Sequence, residues 1–145
     1  MTSPARIRVV LADDHVAIRE GLRLIIDGQP DMTVVGEASD GVEAIERVRA
    51  HGADVVVMDI SMPGMNGLVA TRTLKTERPD VAVVIITRHG DDAYLQELLR
   101  AGAAGYVLKQ SPATELLQAV RAVASGRQYL DAALTARVTA QFVGR

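Results

Sequence analysis

Apolar stretches of strand length alternate along this chain with amphipathic stretches of helical length. Residues 7–11 (IRVVL) are short, rich in β-branched side chains and followed by acids, which predicts a buried strand. Residues 16–26 place Ile18, Leu22 and Ile25 at the i, i+4, i+7 spacing of a helix, and Gly28 with Pro30 is a stop signal. Residues 32–38 read as a second strand. Residues 40–51 read as a helix with Val42, Ile45 and Val48 on one face and Gly52 after its end. Residues 55–58 form an apolar strand that enters Asp59, and residues 61–67 (SMPGMNG) are a loop by their Pro and Gly content. A helix over 68–77 stops near Pro79, and residues 81–87 (VAVVIIT) carry the strongest strand signal. A helix over 91–101 precedes Gly102, a short fifth strand covers 105–108, and a fifth helix over 112–125 has Pro near its start and Gly126 after its end. Residues 129–143 (YLDAALTARVTAQFV) repeat apolar positions at Leu130, Leu134, Val138 and Phe142-Val143, the period of one more helix.

Continuously apolar strands alternating with helices imply a parallel sheet covered on both faces, an α/β three-layer sandwich. Right-handed crossovers restrict its topology, and five βα units suit the flavodoxin-like strand order 2-1-3-4-5. There is no internal repeat and no low-complexity segment.

Composition narrows the function. A length of 145 residues suits one domain with a short appendage. Aromatic residues are 3% with no Trp, too few for a base-stacking platform or a flavin sandwich. A net charge of -2 is not the footprint of a nucleic-acid-binding surface. The absence of Cys removes disulfides, thiolate metal sites and cysteine nucleophiles, and fits a reducing cytoplasm. The first residues lack the long apolar core of a signal peptide, and no run of about 18 apolar residues is present to span a membrane.

In doubly wound sheets the working residues lie beyond the carboxyl ends of the strands. Here those ends carry Asp13 and Asp14 (strand one), Asp59 (strand three), Thr87 (strand four) and Lys109 (strand five). Strands one and three are neighbours in the expected order, about 4.8 Å apart, so three carboxylates crowd one basin. Like charges that close repel unless neutralised. Lys109 and one divalent cation balance them, and an all-oxygen, water-accessible site suits Mg²⁺. Carboxylates, Mg²⁺, Lys and a hydroxyl are the parts that phosphoryl transfer needs, and an Asp can itself become the phosphorylated nucleophile. Singly, each residue has a plainer reading: Asp14 as a helix N-cap, Asp59 as the start of a turn, Thr87 as a strand residue, Lys109 as a solvated cation. Jointly they are hard to assign to chance.

At these positions the chain resembles the receiver domain of two-component response regulators, a CheY-like fold. The resemblance runs from residue 6 to about 130, through VVLADDH (9–15), VVMDISMPGMNG (56–67), VVIIT (83–87) and GAAGYVLK (102–109). It implies Asp59 as the acceptor of a phosphoryl group from a sensor histidine kinase. It implies Mg²⁺ held by Asp13, Asp14, Asp59 and the backbone carbonyl of Ser61. Thr87 and Lys109 then bind the phosphoryl group, and Tyr106 is the switch aromatic that turns inward when Thr87 moves. DDHVAIREGL (13–22), VVGEASDGVEAI (34–45) and GRQYLDAAL (126–134) look like the LuxR-type (NarL-like) transcription regulators. That subgroup carries a helix-turn-helix DNA-binding domain after the receiver, and its receivers often dimerise on phosphorylation. On this reading residues 1–126 are the receiver and 127–145 a linker or helix leading to a DNA-binding module not seen in this sequence, as in a piece cut from a longer regulator; the alternative is a solitary receiver.

Two positions depart from the pattern. Gln110 stands where Pro usually follows the Lys, and Arg88 stands where a small residue usually follows the Thr. Arg88 either crowds or electrostatically assists the phosphate entrance, or points to solvent. His15, His51 and His89 are too dispersed for a histidine metal site, although His15 and Val16 sit near the mouth where a kinase would dock. Met58, Met62 and Met65 read as packing residues, and Arg6 and Arg8 as solvated. The competing enzyme reading, a small Mg²⁺-dependent phosphohydrolase with an Asp nucleophile, expects a second Asp two residues after the first; Ser61 occupies that place. A degenerate docking module would have lost Asp59 or Lys109, and an FMN protein needs a hydroxyl-rich loop where DDHVA stands.

Overall fold

The computed structural model describes residues 6–88 and 95–135. Within them the strands are β1 (Ile7–Ala12), β2 (Met32–Ala38), β3 (Val55–Asp59), β4 (Ala82–Thr87), β5 (Gly105–Leu108) and β6 (Tyr129–Leu130). The helices are α1 (Val16–Asp27), α2 (Gly41–His51), α3 (Gly67–Glu77), α4 (Leu95–Ala101) and α5 (Ala113–Ala124). All strand pairings are parallel, in the order β2-β1-β3-β4-β5-β6. The doubly wound fold and the order of its first five strands stand as the alternating pattern predicts.

Alternate residues of each strand point to opposite faces. Val10, Ala12, Val56, Met58, Val83, Ile85, Tyr106 and Leu108 join one core under α2, α3 and α4. Val9, Leu11, Val55, Val57, Val84, Ile86 and Val107 join the other, under α5 and the apolar side of α1. Both parities are buried, which is why the strands read as unbroken apolar runs. Each fully buried Val, Leu or Ile contributes roughly 1.5–3 kcal/mol relative to its exposed state, so the aliphatic core holds the sheet rigid without aromatic bulk. Met58 and Met62 are buried and Met65 packs against the first core, as packing residues.

One difference from the sequence pattern concerns the chain's end. Tyr129 and Leu130 are not helical but form a sixth strand on the edge of β5, with Tyr129 opposite Gly105 and Leu130 opposite Tyr106. The apolar period there is shared by a two-residue strand and a following helical turn at residues 132–135, which a periodicity over one window cannot separate. Tyr129 also donates its hydroxyl to the Glu115 carboxylate on α5, and burial together with that carboxylate pushes its phenol pKa up to about 12. The expected helical positions Val138, Phe142 and Val143 lie outside the described residues, as do His89 and the first turn of the helix expected over 91–101.

Candidate functional site

Register assembles the site. Ala12 pairs with Met58, so the next residues, Asp13 and Asp59, emerge side by side. Thr87 pairs with Leu108, which brings Lys109 to the same end of the sheet; its amide donates to the Thr87 carbonyl at 2.8 Å. Lys109 Nζ then reaches Asp59 Oδ2 at 2.9 Å and Asp13 Oδ2 at 3.3 Å. Asp59 is 2% exposed, and its Oδ1 accepts the Ser61 amide at 3.0 Å. Gly67 lets this turn close: a Cβ there would sit 2.8 Å from the Ile60 Cα and 3.0 Å from the Asp59 carbonyl oxygen.

The acidic pair is not used up by structural work. Helix α1 has His15, not Asp14, at its N-cap, and no side chain caps it. Asp13 Oδ1 accepts the His15 amide at 2.9 Å, and Arg19 donates to the Asp13 carbonyl at 2.6 Å while pairing with Glu37. Yet Asp13 Oδ2 and Asp14 Oδ1 are buried and make no hydrogen bond. Lys109 Nζ and His15 Nδ1 each lie 3.3 Å from one of these oxygens, close enough for an ion pair where the imidazole is protonated. Buried carboxylate oxygens without donors are rare, because each carries an uncompensated desolvation penalty. Together with Asp59 and His15, Asp13 and Asp14 form a cluster whose ligand atoms lie close enough together to hold a metal ion.

The structure thus brings together Asp13, Asp14, Asp59 and Lys109, and adds His15, whose ring lies within ligand reach of the carboxylates. His15 was legible as a residue at the mouth of the site, not as a group within ligand reach of the acids. Thr87 is buried, and its hydroxyl donates to the Arg88 carbonyl at 3.2 Å rather than to Asp59. Arg88 does not merely enter solvent: its guanidinium comes within 3.5 Å of His15 Nε2 across the mouth of the site. Tyr106 is already inward, 1% exposed, with its hydroxyl unpartnered and its phenol pKa raised by burial. The peptide after Lys109 is trans, in keeping with Gln110 there.

Asp131 is a buried carboxylate that the sequence pattern did not single out. It is 2% exposed, and its Oδ2 accepts the Leu108 amide and the Ser111 hydroxyl. The available signal was an acid immediately before a helical period, an N-cap pattern.

A doubly wound sheet with this acidic, lysine-bridged basin defines a phosphoryl-handling signalling domain. The comparisons give the family: the model for the response regulator receiver domain matches residues 9–121, and this chain belongs to it. It is 43% identical over 139 residues to the oxygen regulatory protein NreC of Staphylococcus epidermidis, covering 95% of this chain and 64% of that protein. It therefore spans just under two thirds of the length of this relative. Among solved structures, it is similar to a LuxR-family two-component response regulator from Aurantimonas sp., with a TM-score of 0.91 and 36% identity over 96% of this chain and 99% of that one. The receiver domain of the putative response regulator NarL from Mycobacterium tuberculosis matches with a TM-score of 0.81 and 39% identity, over 86% of this chain and all of that one. The chain is accordingly a receiver domain of the LuxR-family, NarL/NreC-like group. Receiver domains are signalling domains that work with histidine kinases, through an acidic metal pocket of the kind seen here. Among the described residues no helix is long and apolar enough to cross a membrane.

Proposed function

We propose that Asp59 is the phosphoacceptor and that Asp13, Asp14, Asp59 and the Ser61 carbonyl hold Mg²⁺ when it is bound. The observation that carries this reading is the pair of donorless buried oxygens on Asp13 and Asp14 beside a buried Asp59 that Lys109 already contacts. A hard dication with oxygen ligands and retained waters fits that donor set, and it supplies charge neutralisation for the incoming phosphoryl oxygens. Asp59 Oδ attacks the phosphorus of a kinase phosphohistidine; the new P–O bond forms as the P–N bond breaks, and the departing imidazole takes up a proton. Lys109 follows the developing charge, and Thr87 gains a new acceptor once it leaves the Arg88 carbonyl. Water attack on the phosphorus returns Asp59 and phosphate, a self-limiting dephosphorylation rather than turnover of a free substrate. Ser61 at the position where a phosphohydrolase would place its second acid supports this over the enzyme reading.

Phosphorylation adds about two negative charges at Asp59 and so favours whichever conformation of Thr87 and Tyr106 binds them better. A shift from 1:99 to 99:1 takes about 5.5 kcal/mol of differential interaction. The kinase docks where α1 meets the site: Val16 and Ile18 are exposed there, and an apolar groove of about 190 Å³ runs past Ile18, Leu22, Lys109 and Pro112. Dimerisation on phosphorylation, and DNA control through a helix-turn-helix module such as LuxR-type regulators carry, complete the reading, with a cytoplasmic location that follows from the kinase partner. Residues 1–126 carry the phosphoacceptor chemistry, and the segment after them adds Tyr129, Leu130 and Asp131 to the edge of the same sheet. Arg88, facing His15, tunes access: Arg88→Ala is expected to change the phosphorylation or dephosphorylation rate, and equal rates for both proteins would remove that role.

The test is intact mass after incubation with Mg²⁺ and a histidine kinase or small phosphodonor. A single phosphoryl adduct on the wild type that is lost in Asp59→Asn supports the assignment. An adduct that persists in Asp59→Asn overturns it.

A further inference from the structure

Lys109 sits inside a four-residue turn between β5 and α5, closed by the Ser111 amide donating to the Leu108 carbonyl at 3.0 Å. Both ends of that turn are held by one oxygen of a residue some twenty positions away. Asp131 Oδ2 accepts the Leu108 amide at 3.1 Å and also the Ser111 hydroxyl. Its Oδ1 accepts the Ala133 amide at 3.0 Å, and its own amide donates to the Tyr106 carbonyl at 2.9 Å. An N-cap needs one side-chain oxygen and no burial. Here the capping oxygen is Oδ1, and the second oxygen is spent wholly on the turn that carries Lys109. Hydrogen bonds to an ionised acceptor are about twice as strong as neutral ones, so this clamp fixes the turn more firmly than backbone contacts alone.

We propose that Asp131, acting through Ser111 and the Leu108 amide, is the positioning residue for Lys109. The proposal rests on the reading of Asp59 as phosphoacceptor with Lys109 as its cationic partner. Lys109 is a long, flexible side chain whose ammonium must meet Asp59 Oδ2 at 2.9 Å and stay near Asp13 Oδ2 at 3.3 Å. Where its backbone starts decides whether it reaches both. Misplacement of a reacting group by about 1 Å can lower a rate by about a hundredfold, so a clamp on the turn is read out at the site.

The experiment uses the 145-residue chain with Ser111→Ala, Ser111→Thr, Asp131→Asn, Lys109→Ala and the Ser111→Ala/Lys109→Ala pair. Two quantities are measured: the apparent Kd for beryllofluoride with Mg²⁺, and the nitrogen-15 signal of the Lys109 ammonium without Mg²⁺. Ser111→Ala and Asp131→Asn are expected to weaken beryllofluoride binding about 3- to 10-fold, an effect the size of one lost hydrogen bond. They are also expected to move the Lys109 ammonium signal. Ser111→Thr, which keeps the hydroxyl, restores both, and Ser111→Ala adds nothing once Lys109 is Ala. Lower stability with an unchanged Kd and an unchanged Lys109 signal overturns the proposal, as does a Ser111→Ala effect of equal size in the Lys109→Ala background. If Asp131→Asn fails to fold, the Ser111 variants carry the test alone. A wild type that takes no beryllofluoride at Asp59, but whose Lys109 signal still responds to Ser111→Ala, overturns the phosphoacceptor reading and leaves the positioning role standing.

Discussion

Two buried acidic groups lie on either side of Lys109 and are treated in opposite ways. Around Asp131 every carboxylate oxygen has a protein donor, from the Leu108 amide, the Ser111 hydroxyl and the Ala133 amide. In the Asp13–Asp14–Asp59 basin the carboxylates crowd together, one lysine bridges two of them, and two buried oxygens make no hydrogen bond. Burying an ionised group is tolerable when the protein completes its hydrogen bonds, and destabilising when it does not. The contrast separates a carboxylate that builds the fold from carboxylates held ready for something the chain itself does not supply.

The sharpest way to break that comparison is to remove each acid in turn. Asp131→Ala strands the buried Leu108 amide and two part-buried donors, and is expected to lower stability by about 3 kcal/mol in urea denaturation. A loss below about 1 kcal/mol would show that the clamp is replaceable by water. Asp13→Asn, measured without divalent cations, is expected to go the other way and raise stability by up to about 1 kcal/mol, because it relieves repulsion in an unbalanced cluster. Adding Mg²⁺ should then stabilise the wild type more than the variant, since only binding to the folded state shifts unfolding. A large destabilisation in Asp13→Asn would place that acid with Asp131 and dissolve the contrast.

Tyr106 offers a neutral version of the same test. Its hydroxyl is buried without a partner, so Tyr106→Phe is expected to stabilise the fold by about 1 kcal/mol at pH 7. Burial raises its phenol pKa, so the folded chain keeps the proton at pH values where the unfolded chain, with a phenol pKa near about 10, loses it. Stability is therefore present below about pH 10 and falls as pH rises above it, and Tyr106→Phe should flatten that fall. A variant with the wild-type alkaline slope would show that the ring is not held inward.

The smallest effect is expected far from the site. Asp31 has its pKa lowered by a hydrogen bond from Arg121, a solvent-exposed pair joining α5 to the start of β2. Its contribution is present above about pH 4 and lost as pH falls through the lowered value. Arg121→Ala should lower stability by less than about 1 kcal/mol at pH 7, a difference that closes on acidification and in high salt.

Much of the fold could be read from residues alone, because the central strands β3, β4 and β5 are buried on both faces and each helix ends on a Gly or near a Pro. Runs such as VAVVIIT and stops such as Gly52 and Gly126 are local signals, and local signals survive folding. The site residues were legible for a related reason. In a doubly wound sheet the strand ends converge, so Asp13, Asp14, Asp59, Thr87 and Lys109 could be placed together once the strand order was inferred. Tyr129 and Leu130 were misread because a two-residue edge strand leaves no period of its own and merges with the helical turn after it. Asp131 was missed because it fell inside the run 129–143 read as one helical period, and nothing nearby in sequence points to Leu108 or Ser111.

The sequence by itself determined the alternation of elements, the aliphatic core and the list of groups at the strand ends, since these depend on residue type and short-range spacing. Only the tertiary structure decided which of those groups are satisfied. Whether a carboxylate oxygen has a donor depends on angles and on residues tens of positions away, as with Lys109 beside Asp13 or Asp131 beneath Leu108. That is the physical reason the chemistry of the basin, and the clamp behind it, appear only when the chain is folded.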